Sequence, residues 1–382
     1  MARSDSKVGV IEQFPNEQRD NIQDCITVYS KDIYSTSYIF NALKPMFFIM
    51  KFVGLFHNKT ISMDKQTAAK FKLTASTYKG ITKSQVWSSI MLILIWIIAL
   101  TRLSNFTRDI QFDVWIIFTI LTTVWYMQIA IAVTTWYFGC YTFGALPSFI
   151  LLWDELYRNN KTPQNHLKLI RKRGIISVII CVIVVLTNLV TFGYVLITTE
   201  INDSVIAPIN PKSEYAIVAQ IIILVLMMFI SFHWSLPIVA IVNFGLIISD
   251  TFKHLNEDMT KHFNSDSFIN YIEDIRLQHN DIAKLVKHLD VFLCIYLAGT
   301  FVQNICAMMF VLYSLIWYHD IMDGPFILAT CLFWFIVNTV ALCLHFWPTV
   351  IVNNQVCFKD LKSFSFKCFI QCMYLSNVYA IK

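Results

Sequence analysis

The side chains in this sequence that could act on another molecule are aromatic rings and carboxamides set into long apolar stretches. Trp115, Phe118, Trp125, Tyr126 and Gln128 lie in one stretch, Asn188, Thr191, Phe192 and Tyr194 in another, and Gln220 in a third. Gln303, Asn304, Met308, Met309, Tyr313 and Trp317 lie in a fourth. Rings supply stacking area, and each carboxamide supplies both donors and an acceptor. Apolar walls with a few placed amides suit a small neutral ligand. Trp125, Tyr126, Gln220, Gln303, Asn304 and Tyr313 are therefore the ligand-binding candidates. The competing use is structural, because amides join membrane helices and Trp or Tyr form belts at the membrane interface.

Other chemistry is missing. The apolar stretches hold no Asp, Glu, Lys or Arg away from their ends, and their ionisable groups are His233 and His345. Ion-coupled transporters and pumps usually need charges inside the membrane, so that class loses ground. There is no paired carboxylate, no His-Glu-x-x-His and no Walker lysine loop, so an enzyme is not expected. A hydrogen-bonded structural role is the expectation for His233 and His345. Cys368 and Cys372 stand at i, i+4 with no His or second Cys pair nearby, which makes a poor metal site. No metal and no cofactor are expected. The ten cysteines are scattered and avoid the loops assigned outside, so they read as buried small hydrophobes.

These side chains need elements that hold them at membrane depth. With 382 residues, 56% hydrophobic and 15% aromatic, the chain reads as an all-α, polytopic membrane protein. Six stretches each approach or exceed the ~20 residues that cross a ~30 Å hydrocarbon core. They are Val86–Leu103, Val114–Ile150, Ile175–Thr198, Ala216–Ile248, Val291–Trp317 and Phe326–Val352. Lys59, Lys65, Lys70, Lys72, Lys79 and Lys83 precede the first; Arg158, Lys161, Lys168, Arg171, Lys172 and Arg173 follow the second. The loops 104–113 and 199–215 offer only Arg108 and Lys212, and 318–325 offers neither Lys nor Arg. Positive loops stay in the cytoplasm, so the amino terminus is expected inside. The net charge of +5 follows from this loop bias and gives no argument for nucleic acid. Residues 1–13 lack an apolar core, so no cleaved signal peptide is expected.

The expected organisation is a cytoplasmic tail over 1–35, then a re-entrant segment and helices one to four over 36–250. A cytoplasmic amphipathic helix follows over 251–290, then helices five, six and a weak or truncated seventh over 291–382. Ile39–Phe56 is apolar but carries Lys44, Pro45, Lys51 and Gly54, so it reads as re-entrant or interfacial. The second and fourth stretches exceed 30 residues and must tilt or project beyond the membrane; Pro147 and Pro237 near their inner ends suggest kinks. Phe268, Ile272, Ile275, Ile282, Val286 and Leu289 recur at helical spacing, which predicts a helix running on into the fifth span. Phe364–Ile381 carries Lys367, Gln371 and Asn377 and is the candidate seventh span.

This layout resembles the insect-type chemoreceptor superfamily. Leu43–Phe56 is similar to its segment before span one, which ends in a Gly-aliphatic turn. Phe252-Lys253-His254-Leu255-Asn256-Glu257 resembles the Phe-x-x-Leu-Asn sequence after span four of gustatory receptors. Ile275–Asp290 is similar to their Arg- and Leu-rich run leading into span five. Pro147–Leu156 resembles the end of span two in sugar-type receptors, and Phe229–Pro237 their Phe-x-Trp sequence in span four. The acidic residue expected shortly after Trp234 is absent. So are the Thr-Tyr and Gln-Phe pairs of the family's pore-lining seventh span.

The resemblance implies a gustatory-type receptor in the plasma membrane, a subunit of a ligand-gated, non-selective cation channel. It implies a small-molecule tastant, a sugar among the possible ones, and a homo- or hetero-tetramer with related receptor chains in membrane lipid. A pore-deficient receptor-like subunit and a facilitative small-solute transporter are the alternatives. A G-protein-coupled receptor would have the opposite orientation, and neither Asp-Arg-Tyr nor Asn-Pro-x-x-Tyr occurs where it would need them.

Overall fold

Apolar side chains cover all faces of the long helices over their apolar stretches, and this decides how the chain is arranged. In α6 (Gln164–Thr198) one face is buried through Ile170, Val178, Cys181, Val185, Phe192 and Leu196. The other exposes Ile176, Ile179, Ile180, Ile183, Val190 and Ile197. A helix apolar on both faces has no stable place in water, whereas in lipid the outer face needs no cover.

The computed structural model describes residues 37–57, 82–103, 106, 114–141, 145–159, 164–198, 216–263, 268–317 and 325–356. Among these residues it is all-α. Before α6 come α1 (Tyr38–Ala42), α2 (Lys44–Phe52), α3 (Lys83–Leu103), α4 (Val114–Tyr141) and α5 (Ala145–Asn159). After it come α7 (Ala216–Phe263), α8 (Phe268–Trp317) and α9 (Pro325–Val356). Five of these, α3, α6, α7, α8 and α9, contain segments long and apolar enough to cross a membrane. That is the architecture of a polytopic helical membrane protein. The 1–35 tail and the candidate seventh span Phe364–Ile381 lie outside the described residues.

The second apolar stretch holds two helices, α4 ending at Tyr141 and α5 beginning at Ala145. Pro147 explains the division: it lacks an N–H and its ring collides with the carbonyl four residues back, so it is tolerated only in the first turn of α5. α7 and α8, of 48 and 50 residues, reach roughly 72–75 Å at ~1.5 Å per residue. Each therefore extends well beyond a ~30 Å core, and α8 runs unbroken from the amphipathic segment into the apolar one. Pro237 and Pro348 lie inside α7 and α9, as bundled membrane helices permit when neighbours satisfy the freed backbone.

α7 packs mainly on α6 and α9, and α4 on α3 and α8, while α8 also meets α5 and α7. The α1–α2 segment is wedged among α5, α6 and α7. Leu43, Met46, Phe47, Met50, Val53, Leu55 and Phe56 are all buried. The Phe47 ring lies 4.9 Å from Phe56 and 6.5 Å from Phe244 of α7. Gly54 turns the chain back at φ 85°, a conformation that glycine adopts without a Cβ penalty. The returning chain is held by indoles: Trp136 Nε1 donates to the Leu55 carbonyl at 3.1 Å, and Trp87 Nε1 to Phe52 at 2.8 Å.

Asp154 of α5 secures the start of this wedge. Its Oδ1 accepts the Tyr38 and Ile39 backbone N–H groups at 3.0 and 3.2 Å. Ser37 Oγ in turn accepts the Phe40 N–H at 3.1 Å. Burial pushes the Asp154 carboxyl above its ordinary pKa, against the lowering effect of its hydrogen bonds to Ser37, Ile39 and Tyr38 and of Arg158. Nearby, Arg173 of α6 pairs with Asp250 of α7, joining two elements at the end that carries the basic cluster.

Four substitutions test these contacts. A carboxyl with a raised folded pKa is favoured protonated, so stability falls as the pH rises from the ordinary carboxylate range through the raised value, and the cost is fully present above it. Asp154→Asn keeps the single acceptor oxygen that both N–H groups use and should melt close to the unaltered chain at neutral pH. Asp154→Ala removes it and should lose about 1–3 kcal/mol, read as a lower melting temperature in detergent. At the α7–α9 crossing, a Cβ on Gly245 would stand 2.2 Å from Pro348 Cβ. Gly245→Ala should therefore separate the helices and cost about 1–3 kcal/mol, whereas Gly299→Ala, with open space around it, should not.

Candidate ligand site

The ligand candidates are distributed along α4, α7 and α8, and the fold gathers only some of them. On α4, the Trp125 and Tyr126 rings meet edge to face at 5.3 Å. Tyr126 is buried, and its hydroxyl donates to Met227 Sδ of α7 at 3.0 Å. Two residues on, Gln128 Nε2 donates to Asn304 Oδ1 of α8 at 2.7 Å, with both residues buried. Arg102, from the last turn of α3, places its guanidinium 5.2 Å from the centre of the Tyr126 ring. Four helices thus contribute: α3 a cation, α4 rings and an amide, α7 a thioether and α8 an amide.

The other candidates stand apart from this group. Gln303 precedes Asn304 and so points about 100° away around the same helix. Gln220 lies seven residues before Met227, about 10 Å away along α7. Tyr313 is 46% exposed and about 13 Å beyond Asn304 along α8. Sequence reading singled out Gln128 as a polar group in the second stretch, but nothing in the pattern paired it with Asn304. Arg102 counted there as a charge at a span end. The structure buries it to 5% exposure against an aromatic face, where a cation–π contact contributes about 0.5–2 kcal/mol.

The amides divide into two kinds. Asn188 of α6 is fully engaged: Nδ2 donates to Ser231 of α7 at 2.7 Å, and Oδ1 accepts from Trp334 of α9 at 3.0 Å. It joins three helices. The Gln128–Asn304 pair uses one atom from each side chain. Gln128 Oε1 and Asn304 Nδ2 are buried with no hydrogen-bond partner among the described residues, as is Gln303 Oε1. An acceptor and a donor of the pair are therefore left over between α4 and α8. His233, expected to be structural, is wholly buried and donates through Nδ1 to the Phe229 carbonyl at 2.7 Å. His345 is buried with its ring 6.0 Å from Tyr296.

Stacking surface plus neutral hydrogen-bonding groups can hold a small uncharged molecule and offers no nucleophile or base. No protein-family model matches the chain, and no curated protein matches it.

The amide pair has a direct test. Gln128→Ala and Asn304→Ala should each lower stability in detergent by about 1–3 kcal/mol, since each leaves its partner wholly unsatisfied. The double variant should cost less than the sum, with a coupling of about 0.5–1.5 kcal/mol. Strict additivity would mean that the two side chains do not interact.

Proposed function

We propose that this chain is a gustatory-type chemoreceptor, a subunit of a ligand-gated, non-selective cation channel in the plasma membrane with its amino terminus inside. One observation carries the reading: the stretches that resemble the receptor superfamily form a single packed region. Leu43–Phe56 is the buried wedge with its glycine turn. From the Pro147–Leu156 sequence, Asp154 accepts the Tyr38 and Ile39 N–H groups just ahead of that segment, and Trp153 stacks on Tyr157 of its own helix at 5.2 Å. Phe252 and Leu255, from the Phe-x-x-Leu-Asn sequence, are buried on α7, and Phe252 meets His279 of α8 at 5.8 Å. Ile275, Ile282, Leu285 and Leu289 form the buried face of the α8 run. Shared spacing along the chain could arise by chance; mutual packing gives these residues a common structural reason.

In this reading, ligand meets the Trp125, Tyr126, Gln128 and Asn304 group, and helices α7 and α8 carry the change to their far ends. The ligand must contact the open arrangement better than the closed one, or it shifts nothing. A small neutral molecule fits, and four related chains around a pore supply the conduction path.

The test is electrical. The chain expressed alone, in cells lacking related receptors, should pass little or no ligand-evoked current, because Phe364–Ile381 places Lys367 inside its candidate pore helix. Co-expression with a related subunit bearing an intact seventh span should restore current during a tastant screen. Asn304→Ala should then shift the response to higher concentration by about 5- to 150-fold. Absence of current with every co-subunit, together with saturable uptake of a neutral solute, would favour the facilitative transporter.

A further inference from the structure

Where α6 begins and α7 nears its end, two histidines from distant parts of the chain face each other. His166 Nδ1 stands 3.1 Å from His254 Nε2, with ring centroids 5.1 Å apart. Both line a cavity of about 370 Å³ that also touches Tyr157, Glu257, Asp258 and Gln278. On its other side His254 has Nδ1 3.7 Å from Glu257 Oε2. His166 Nε2 is buried with no hydrogen-bond partner among the described residues.

We propose that this pair binds a divalent transition-metal ion, with zinc the best fit. Two Zn–N bonds of ~2.0–2.1 Å at the tetrahedral angle hold their nitrogens about 3.3–3.4 Å apart, so the 3.1 Å pair needs to open by only a few tenths of an ångström. The Glu257 carboxylate, 3.7 Å behind His254, favours the proton on Nδ1 electrostatically and so favours an Nε2 lone pair facing His166, as carboxylates behind metal-binding histidines do at closer range. His166 Nε2 has no hydrogen-bond partner among the described residues, so moving that ring's proton there breaks no hydrogen bond and frees the facing Nδ1 lone pair. The neighbouring cations are already matched: Arg173 pairs with Asp250, and Lys261 with Asp258 at 3.1 Å.

No group of three or more His, Cys, Asp or Glu side chains converges on a metal position among the described residues. The remaining positions open into the cavity and belong to water, so the site is labile and its affinity is on the order of micromolar. A bound ion would join α6 to α7 and favour the arrangement in which the two rings face each other. This inference is independent of the receptor reading, because binding is measured directly.

The experiment is calorimetric titration of the purified full chain in detergent with zinc chloride. One saturable site per chain is expected. His166→Ala and His254→Ala should each weaken it at least tenfold, and Glu257→Gln about tenfold. His288→Ala, which lies outside the cavity, should leave it unchanged. His254→Cys should bind zinc where His254→Ala does not, with metal-free melting curves confirming that both variants fold. Absence of saturable binding, unweakened binding by either alanine variant, or failure of a folded His254→Cys to bind would each overturn the proposal.

Discussion

The backbone carries a donor and an acceptor at almost every residue, and a hydrocarbon layer offers neither group a partner. Long helices resolve that demand internally, leaving side chains to decide how the helices meet. Burial of apolar surface contributes little here, since lipid is as apolar as leucine, and association falls to close packing and polar contacts. Both are visible. Gly245 lets α7 lie directly on Pro348 of α9, and Gly139 of α4 does the same for Phe292 of α8. Between them run bonds such as Trp96 to Thr134 at 2.8 Å and Ser89 with Tyr137 at 2.8 Å, both joining α3 to α4.

The α1–α2 wedge depends on the same constraint. A chain that enters the bundle and turns back must find partners for every backbone group freed at the turn. Asp154, Trp87 and Trp136 supply them, and an aromatic cluster of Phe47, Phe56, Phe149 and Phe244 fills the surrounding space. The lysines that made this segment unsuitable as a span, Lys44 and Lys51, are exposed along with Phe48 and Phe52, while Leu43, Met46, Phe47 and Met50 face inward.

The two polar centres differ in character. The Tyr126, Gln128 and Asn304 group is neutral apart from Arg102 and lies deep between helices; unsatisfied amide atoms there make a second state or an added molecule favourable. The His166–His254 pair lies where α6 and α7 carry most of their charges, beside a cavity and three carboxylates. α7 passes through both regions, so a change in its position or tilt would be felt at each. Stiff helices of this length can couple distant sites when each ligand favours one of two packed arrangements.

Hydropathy alone determined that the chain is helical and crosses a membrane repeatedly, because lipid solvation acts on each segment separately. The ends of α3, α6, α7, α8 and α9 within the apolar layer follow the expected stretches closely; α6, α7 and α8 then continue 11 to 23 residues farther into polar sequence. Pro147 was legible as a disturbance, and it stands in the first turn of α5. Of the residues whose spacing predicted the helix, Ile275, Ile282 and Leu289 are buried and Ile272 and Val286 half-buried, since periodicity is a property of one helix. Pairing between helices was not legible. Gln128 and Asn304, or His166 and His254, become neighbours only after the helices choose crossing points, and those depend on small residues, wedge packing and ion pairs contributed by other segments. Tertiary structure therefore decided which amides are joined, which remain available and which histidines face each other.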